Sequence, residues 1–582
     1  VLLLIIVTKL KKLVESEARM EVNVTILDGY VDEPTCLGVP PYISTYVRYI
    51  AGALVASGIH PENIHYVTID SYRRKECAKT LVKESDVLFL VAGLTVPGRY
   101  LGGTPITLKE VEEIASLPAY KVIGGPVKFG FTMRGGTRAL KPAFSGFDLV
   151  CEGDIELSAF YIGTAVLKGK SLPAGTFTLK RSPEDIAEFA PAGAFIVKQH
   201  PYYPHVMCEV ETYRGCERKH HCSFCTEGLY GKPQTRTVDS ILKEVKSLHR
   251  FGVKHFRIGR QPNILGYMAK SGKGEFPEPN AKAICELFEG IRSLGDIKTL
   301  HIDNANPGTI SAHPLASKKA LECIATYNTE GDVAPLGLES ADEAVVRLNS
   351  LKAKPEDVMK AVEIINQVGA YKERENGLHK LLPGINILVG LPGETKGTFE
   401  KNRAFLESIL ERGLLLRRIN IRQVMVFEGT AIAGMTRRAK TKHRREFERF
   451  RRWVRENIDM PMMKKVFPTG TVIKDVLTES YDGNHTMGRQ IATYPLLVRI
   501  PTRLPLFKKV DVVVVGHRER SVLGIPLPLK VNEMSHKLLS CLPGVSRKMA
   551  SEIILRKPFK SAEEFLRHFP GMRNLVKYME FL

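Results

Sequence analysis

Several things are scarce in this 582-residue chain, and each scarcity excludes a class of protein. Cysteine is thin, ten residues in all, too sparse for a disulfide scaffold. Long apolar runs are missing. Residues 1–7 are apolar, but Thr8, Lys9, Lys11 and Lys12 end the run far short of the roughly 20 residues a membrane span needs. The run has no basic start before it and no small-residue cleavage site after it, so no secretory signal is expected. Acidic residues are in deficit, 63 against 84 Lys and Arg, for a formal charge of +21. Long repeats and low-complexity tracts are absent. These absences leave a multi-domain globular chain, expected in the cytoplasm, with no membrane partner and with an anionic partner, nucleic acid foremost.

What is present is order by segment. Residues 1–170 alternate short apolar runs (22–27, 66–69, 87–91, 121–123, 149–150) with amphipathic stretches at 43–55, 109–115 and 155–167. This is the rhythm of a doubly wound, Rossmann-like α/β domain. Residues 171–204 carry Pro183, Pro191, Pro201 and Pro204 among Gly and mixed charge and read as a linker. A second β/α series fills 205–435, with strands expected near 208–213, 255–258, 299–302, 334–338, 385–389 and 419–426. Six units in that length fit a partial (β/α)6 barrel, with function at the C-terminal ends of its strands. Residues 436–470 form a basic helical segment. Its Phe447, Phe450 and Trp453 recur every third position, which points to core packing, and its arginines face solvent or nucleic acid. A small β module at 471–532, with strands at 494–500 and 510–515, and a helical hairpin at 533–582 complete the chain.

Cys216, Cys222 and Cys225 fall within ten residues of one another, spaced C-x5-C-x2-C in the loop after the first barrel strand. Clustered thiols point to a metal. Three thiolates can hold three irons of a cubane and leave the fourth open. Zinc competes, with His220 or His221 as its fourth ligand, and both readings stay open on spacing alone.

Further along, Gly337, Leu338, Glu339 and Ser340 end the fourth strand ahead of Asp342, Arg347 and Leu348. Gly390, Leu391, Pro392, Gly393, Glu394 and Thr395 follow the fifth strand, and Gly429 and Thr430 the sixth. With the cysteine loop, these make residues 206–432 resemble a radical-SAM barrel. The usual family spacing is C-x3-C-x-aromatic-C; this loop is two residues longer and keeps the aromatic as Phe224. The resemblance implies a [4Fe-4S] cluster on Cys216, Cys222 and Cys225, an electron donor as partner, and reductive cleavage of S-adenosylmethionine to a 5′-deoxyadenosyl radical. It also implies cofactor contacts from Phe224 near the adenine, from Gly259 at the second strand exit (Gly259, Arg260, Gln261), and from Glu339, Ser340 and Gly390. It names no residue for the substrate step.

The N-terminal region resembles the cobalamin-binding-like domain that precedes many such barrels, through Asp28, Gly29 and Tyr30, then Gly124, Gly125 and Pro126, then Glu152, Gly153, Asp154 and Glu156 at strand ends. The D-x-H-x-x-G lower-ligand signature is absent, so cobalamin stays open as a cofactor beside a degenerate domain that shapes substrate access. Cys36, Cys77 and Cys151 match by number the auxiliary-cluster cysteines of methylthiotransferases, but their flanks do not. The β module loosely resembles a TRAM or OB-like fold, often used for RNA. Residues 539–554 resemble a helix-hairpin-helix, in which Gly544, Val545, Ser546, Arg547 and Lys548 present N–H groups and charge to a phosphate; Ser546 replaces the second glycine. The chain as a whole resembles archaeal radical-SAM proteins that end in a helix-hairpin-helix. Three functions are consistent with these readings. The first is RNA modification by methyl or methylthio transfer; the second is radical chemistry on a protein or small metabolite; the third is a non-catalytic, zinc-containing nucleic-acid-binding protein. The sequence leaves the oligomeric state open.

Overall fold

The computed structural model describes residues 22–33, 36–93, 101, 103–132, 135–270, 274–373, 377–435 and 443–581. The apolar run at 1–7 and the basic residues Arg437, Arg438, Lys440 and Lys442 lie outside them. Among the described residues no helix is long and apolar enough to cross a membrane.

The first sheet is parallel throughout, and its inner strands are apolar on both faces, as helices on both sides require. Its strands are β1 (Val24–Asp28), β2 (Ile64–Thr68), β3 (Val87–Val91), β4 (Tyr120–Gly124), β5 (Leu149–Cys151) and β6 (Gly175–Phe177), in the order β2-β1-β3-β4-β5-β6. Helix α1 (Thr45–Ala56) is buried from Thr45 to Leu54, because it is sandwiched between this sheet and the second β/α unit.

Residues 171–204, expected as a linker, are folded: they supply β6, helix α2 (Pro183–Ala192) and a 3-10 segment (Gly193–Gln199). The prolines misled. Pro183 opens α2, where the missing N–H costs nothing, and Ser182 and Asp185 close a capping box ahead of it. The α1–α2 contact is so close that a Cβ on Gly52 would lie 1.8 Å from the Phe189 carbonyl oxygen, and one on Gly193 1.8 Å from that of Arg48.

The second unit has six parallel strands: β7 (Met207–Glu211), β8 (His255–Gly259), β9 (Thr299–Ile302), β10 (Asp332–Glu339), β11 (Leu381–Val389) and β12 (Arg418–Gln423). They pair as β9-β8-β7 and β10-β11-β12, joined by a bridge between Ala305 and Leu336. Such a partial barrel leaves two edge strands, a liability in any sheet, and the N-terminal unit covers both. Tyr42 and Ile43 pair with Met207 and Cys208 of β7. Beyond β12, Gly136 donates to the Val424 carbonyl (2.8 Å) and Ala139 to that of Val426 (2.8 Å). A single apolar core runs from Val24 of the first sheet to Ile419 of the barrel. Arg48 of α1 and Glu244 of helix α3 (Val238–Arg250), both fully buried, form an ion pair that ties the two units.

Helix α4 (Lys396–Glu411) follows β11, and helix α5 (Arg444–Val454) packs on it through Phe447, Phe450 and Val454. Strands β13 (Val472–Asp482), β14 (His485–Arg489), β15 (Leu497–Ile500), β16 (Lys509–Arg518) and β17 (Ser521–Pro526) then close a barrel in the order β13-β14-β15-β17-β16. This barrel sits under the floor of the larger one, at the N-terminal ends of its strands. Thr299 donates to the Ile491 carbonyl (3.3 Å) and Arg417 to that of Tyr494 (3.1 Å). A helical cap that includes helix α6 (Arg547–Arg556) packs on the small barrel around Val513, Ile525 and Phe565.

Candidate active site

A cavity of about 180 Å³ opens at the C-terminal ends of β7 to β12, and the exits of all six strands contribute to its wall. Cys216, Cys222 and Cys225 line it together, with Phe224 beside them.

The loop that carries the cysteines is pinned at several points. Gly215 turns it at φ +93°, where a Cβ would meet the Lys232 carbonyl oxygen at 2.8 Å, and its N–H donates to Glu227 (2.7 Å). Ser223 donates from its N–H to the Asn349 carbonyl (2.9 Å) and from its hydroxyl to the Asn349 side chain (2.8 Å). Arg218, buried, donates to the Cys222 sulfur (3.2 Å) and the Ser350 carbonyl (3.0 Å), and its Nε pairs with Glu275 (3.1 Å). Burial pushes all three thiols up, Cys225 to about 12, while the charges of Arg218 and Lys352 oppose the shift at Cys222. The fixed cations therefore favour the thiolate that burial disfavours.

Opposite this loop, Glu339 ends β10 with the left-handed φ of +58°. Such strain in a non-glycine residue is typical of functional sites. Burial raises its carboxyl to about 7 against the pull of Lys352. Gly337 makes the room: a Cβ there would lie 2.4 Å from Lys352 Cε and 2.5 Å from Glu339 Oε1.

The structure brings five of the expected site residues to the cavity wall, Cys216, Cys222, Cys225, Phe224 and Glu339, and leaves three off it. Ser340 is buried, and its hydroxyl accepts the Asp342 N–H (3.1 Å) at the start of the next helix. Gly259 faces Glu209, whose Oε1 would lie 2.4 Å from an added Cβ. Gly390 turns at φ +93° and donates its N–H to Glu394 (2.9 Å). At these three positions the strand exits use backbone freedom and capping rather than a side chain facing the cavity. The hairpin residues Gly544, Ser546, Arg547 and Lys548 are exposed and Val545 is buried, beyond the barrel floor and away from the cavity.

Cavity residues that the motifs did not mark include Arg218, Lys352, Asn304 and Asn386. The two asparagines lead down to the small β barrel. Asn386 accepts from Asn420 (3.0 Å), which accepts from Arg418 (2.7 Å), whose guanidinium lies 4.6 Å from the Tyr494 ring centre. Asn304 donates to Asp303 (3.1 Å), which accepts the Tyr494 hydroxyl (3.2 Å). Tyr494 thus enters the large barrel from below and reaches the cavity by two arms. The only signal in the sequence was a polar residue inside an apolar strand run, at Asn386 and Asn420.

Among the described residues, no group of three Cys, His, Asp or Glu side chains converges on one ion-sized position. His220 turns to Glu275 (3.1 Å). Cys77 is exposed, and Cys151 is buried in β5, three strand spacings or about 14 Å from β1. Cys36's side chain lies outside the described residues. Cys285 and Cys323 form a disulfide between two barrel helices.

Residues 210–406 match a family model described as the radical SAM superfamily. The chain is similar over nearly its whole length to an uncharacterized protein of Archaeoglobus fulgidus, 42% identical over 555 residues, 95% of this chain and 98% of that one. It is similar over a shorter stretch to the ribosomal protein uS12 methylthiotransferase RimO of Clostridioides difficile, 22% identical over 207 residues, 35% of this chain and 41% of that one. Among solved structures, the radical S-adenosylmethionine methyltransferase TsrM of Kitasatospora setae, with cobalamin and a [4Fe-4S] cluster bound, matches at a TM-score of 0.46 with 14% identity, covering 71% of this chain and 74% of that one.

Proposed function

The chain belongs to the radical SAM superfamily and to the same family as the Archaeoglobus fulgidus protein, and on that premise we propose that this enzyme transfers methyl or methylthio groups to RNA. A radical SAM domain implies a [4Fe-4S] cluster and S-adenosylmethionine, and the cavity residues fit both. Three soft thiols share one wall and leave room for an open iron. Phe224, Ile387, Leu388 and Phe427 offer apolar surface beside Asn304, Asn386, Glu339 and Lys352, which suits a ligand with a purine at one end and charged groups at the other. In this reading Cys216, Cys222 and Cys225 hold the cluster, and Phe224 and Glu339 meet S-adenosylmethionine. Gly259, Ser340 and Gly390 shape the strand exits around them.

When bound, the cluster supplies the electron, drawn from an external donor, that splits S-adenosylmethionine reductively. The chain's own part is electrostatic. Buried thiols must lose their protons for the cluster to load, and Arg218, 3.2 Å from the Cys222 sulfur, offsets the charge that results. Cobalamin has no step in this reading. At the exits of β4 and β5, Lys128 and Asp154 are already paired (3.2 Å); Arg214 grips Asp154 at 2.7 Å, and Lys128 lies 4.6 Å from the Tyr230 ring centre. We assign the enzyme to the cytoplasm on its clustered thiols, and the Cys285–Cys323 disulfide is an exception in a compartment where thiols stay largely reduced.

One observation carries the RNA reading. Gly544, at φ +77°, has open space where a Cβ would stand, and Ser546, Arg547 and Lys548 beside it are exposed over buried Leu542 and Val545. Two exposed cations thus flank the start of α6, where Ser546 caps the Met549 N–H (3.1 Å) and leaves the N–H groups of Arg547 and Lys548 for a phosphate. A second reading, a protein or small metabolite as substrate, draws on the hairpin's position beyond the barrel floor. The test is anaerobic incubation of cluster-reconstituted protein with methyl-labelled S-adenosylmethionine, a reductant and cellular RNA. Label in RNA, lost in Cys222→Ser, is expected; label confined to protein or small molecules overturns the RNA assignment.

A further inference from the structure

The hairpin lies beyond the floor of the large barrel, while the cavity opens at its ceiling, and the eight residues of β10 alone span about 26 Å. An RNA held at the hairpin must cross that distance to reach the cavity. Helix α5, eleven residues or about 16 Å long, runs along the outside over part of it. It begins at the ceiling: Glu446 lies 4.0 Å from Lys396, the first residue of α4 after the β11 exit. It ends at the floor: its continuation places Asp459 in one pocket with Arg417 and Arg418 at the start of β12 and with Arg520 of the small barrel.

The buried face of α5 is Phe447, Phe450 and Val454. The exposed residues are Arg444, Arg445, Glu448, Arg449, Arg451 and Arg452, five arginines against one glutamate, where a face serving solubility alone mixes signs. Arg445, Arg449 and Arg452 recur at i, i+4 and i+7, so they form one stripe about 10 Å long. The nearby acids are committed elsewhere, Glu446 to Lys396 and Glu448 to Arg444 (3.3 Å). Among the described residues none of the three stripe arginines has an acidic partner.

We infer that this stripe is an RNA track: the phosphate backbone of a substrate anchored at the hairpin lies along Arg445, Arg449 and Arg452 and is led to the cavity rim. The inference rests on the RNA reading and adds a phosphate-binding surface on the outside of the barrel between the two ends. Guanidinium forks suit phosphate, and a track that reads no bases leaves target choice to the cavity.

The test uses the cluster-reconstituted full chain, a fluorescein-labelled RNA stem-loop, and binding measured from about 50 to about 200 mM salt. The triple variant R445Q/R449Q/R452Q is expected to lower the slope of log affinity against log salt by about 2, at about 0.7 for each phosphate no longer neutralised. Its S-adenosylmethionine cleavage without RNA and its melting temperature are expected to match the parent. The triple lysine variant is expected to restore the slope. A parent that binds the stem-loop and a glutamine variant with an unchanged slope overturn the track while leaving the RNA reading intact. A parent that does not bind the RNA overturns both.

Discussion

Tyr494 shows how one residue can belong to two modules. It sits in the loop before β15, yet its hydroxyl and ring both act inside the large barrel, 3.2 Å from Asp303 and 4.6 Å from the Arg418 guanidinium. Since Asp303 and Arg418 hold Asn304 and Asn386 on the cavity wall, Tyr494 is a positioning residue for the site. Tyr494→Phe removes one hydrogen bond and keeps the ring contact, a loss of about 1 kcal/mol. The expected result is S-adenosylmethionine affinity weakened about fivefold in titration of the reconstituted enzyme, with iron content unchanged. A lower melting temperature with unaltered affinity would make the contact purely structural. At Cys222 the effect is categorical: Cys222→Ser is expected to lose iron, sulfide and cofactor cleavage together, and cleavage at the parent rate would remove this thiol from the cluster set.

At the scale of elements, α1 is what makes the first two units one body. Its Arg48 shares buried Glu244 of α3 with Arg236, which approaches at 2.5 Å, and neither Arg48 nor Glu244 shows exposed side chain. Glu244→Ala strands two buried guanidinium groups, a cost of about 3–5 kcal/mol. The denaturation midpoint is expected to fall accordingly for the N-terminal unit and the barrel in one transition; separate transitions would show that the two units are independent. Elements of this kind differ in how far the sequence announces them. Strands β1 to β5 and β7 to β12 lay close to expectation because a parallel sheet covered on both faces writes itself as short continuous apolar runs. The cysteine loop was legible because three clustered thiols stand out in a cysteine-poor sequence, and all three line the same cavity. What was not legible had a competing local signal. Prolines hid α2 behind a linker-like composition, although Pro183 starts it. Residues 494–500 read as one strand, but only Leu497–Ile500 pair, since Tyr494 is drawn into the neighbouring barrel. The backbone additions at 42–43 and 136–139 depend on edges that exist only once the barrel is built.

At the scale of the molecule, three histidines sit where modules meet. His200 stacks on Tyr66 of β2 at 5.8 Å just before the barrel begins, His301 of β9 accepts the Thr493 N–H of the small barrel (3.2 Å), and His255 of β8 lines the pocket between the two barrels with Lys509. All three are buried, and burial lowers each to about 3, helped at His255 by Lys509. The native chain therefore keeps them neutral down to about pH 3, whereas the unfolded chain protonates them near pH 6.5. Between those values the unfolded state holds more protons, so stability falls as pH falls from about 6.5. At pH 5 the gap of about 1.5 units corresponds to about 2 kcal/mol per histidine, a ceiling of about 6 for the three. Glu211, lowered to about 2 with buried Arg181 as its partner, adds its loss only below about pH 4.3, where the unfolded carboxylate begins to protonate, so it lies outside this window. Burial also raises Asp28 to about 6 and Glu339 and Glu394 to about 7, and their proton uptake in the native state stabilises the fold over the same window. The histidine term is therefore read by difference. In urea denaturation at pH 7.5 and pH 5, His301→Asn, which retains an acceptor for Thr493, is expected to lose about 2 kcal/mol less than the parent. If that variant loses as much stability as the parent between the two pH values, the acid sensitivity arises elsewhere and the joints between modules are not its seat.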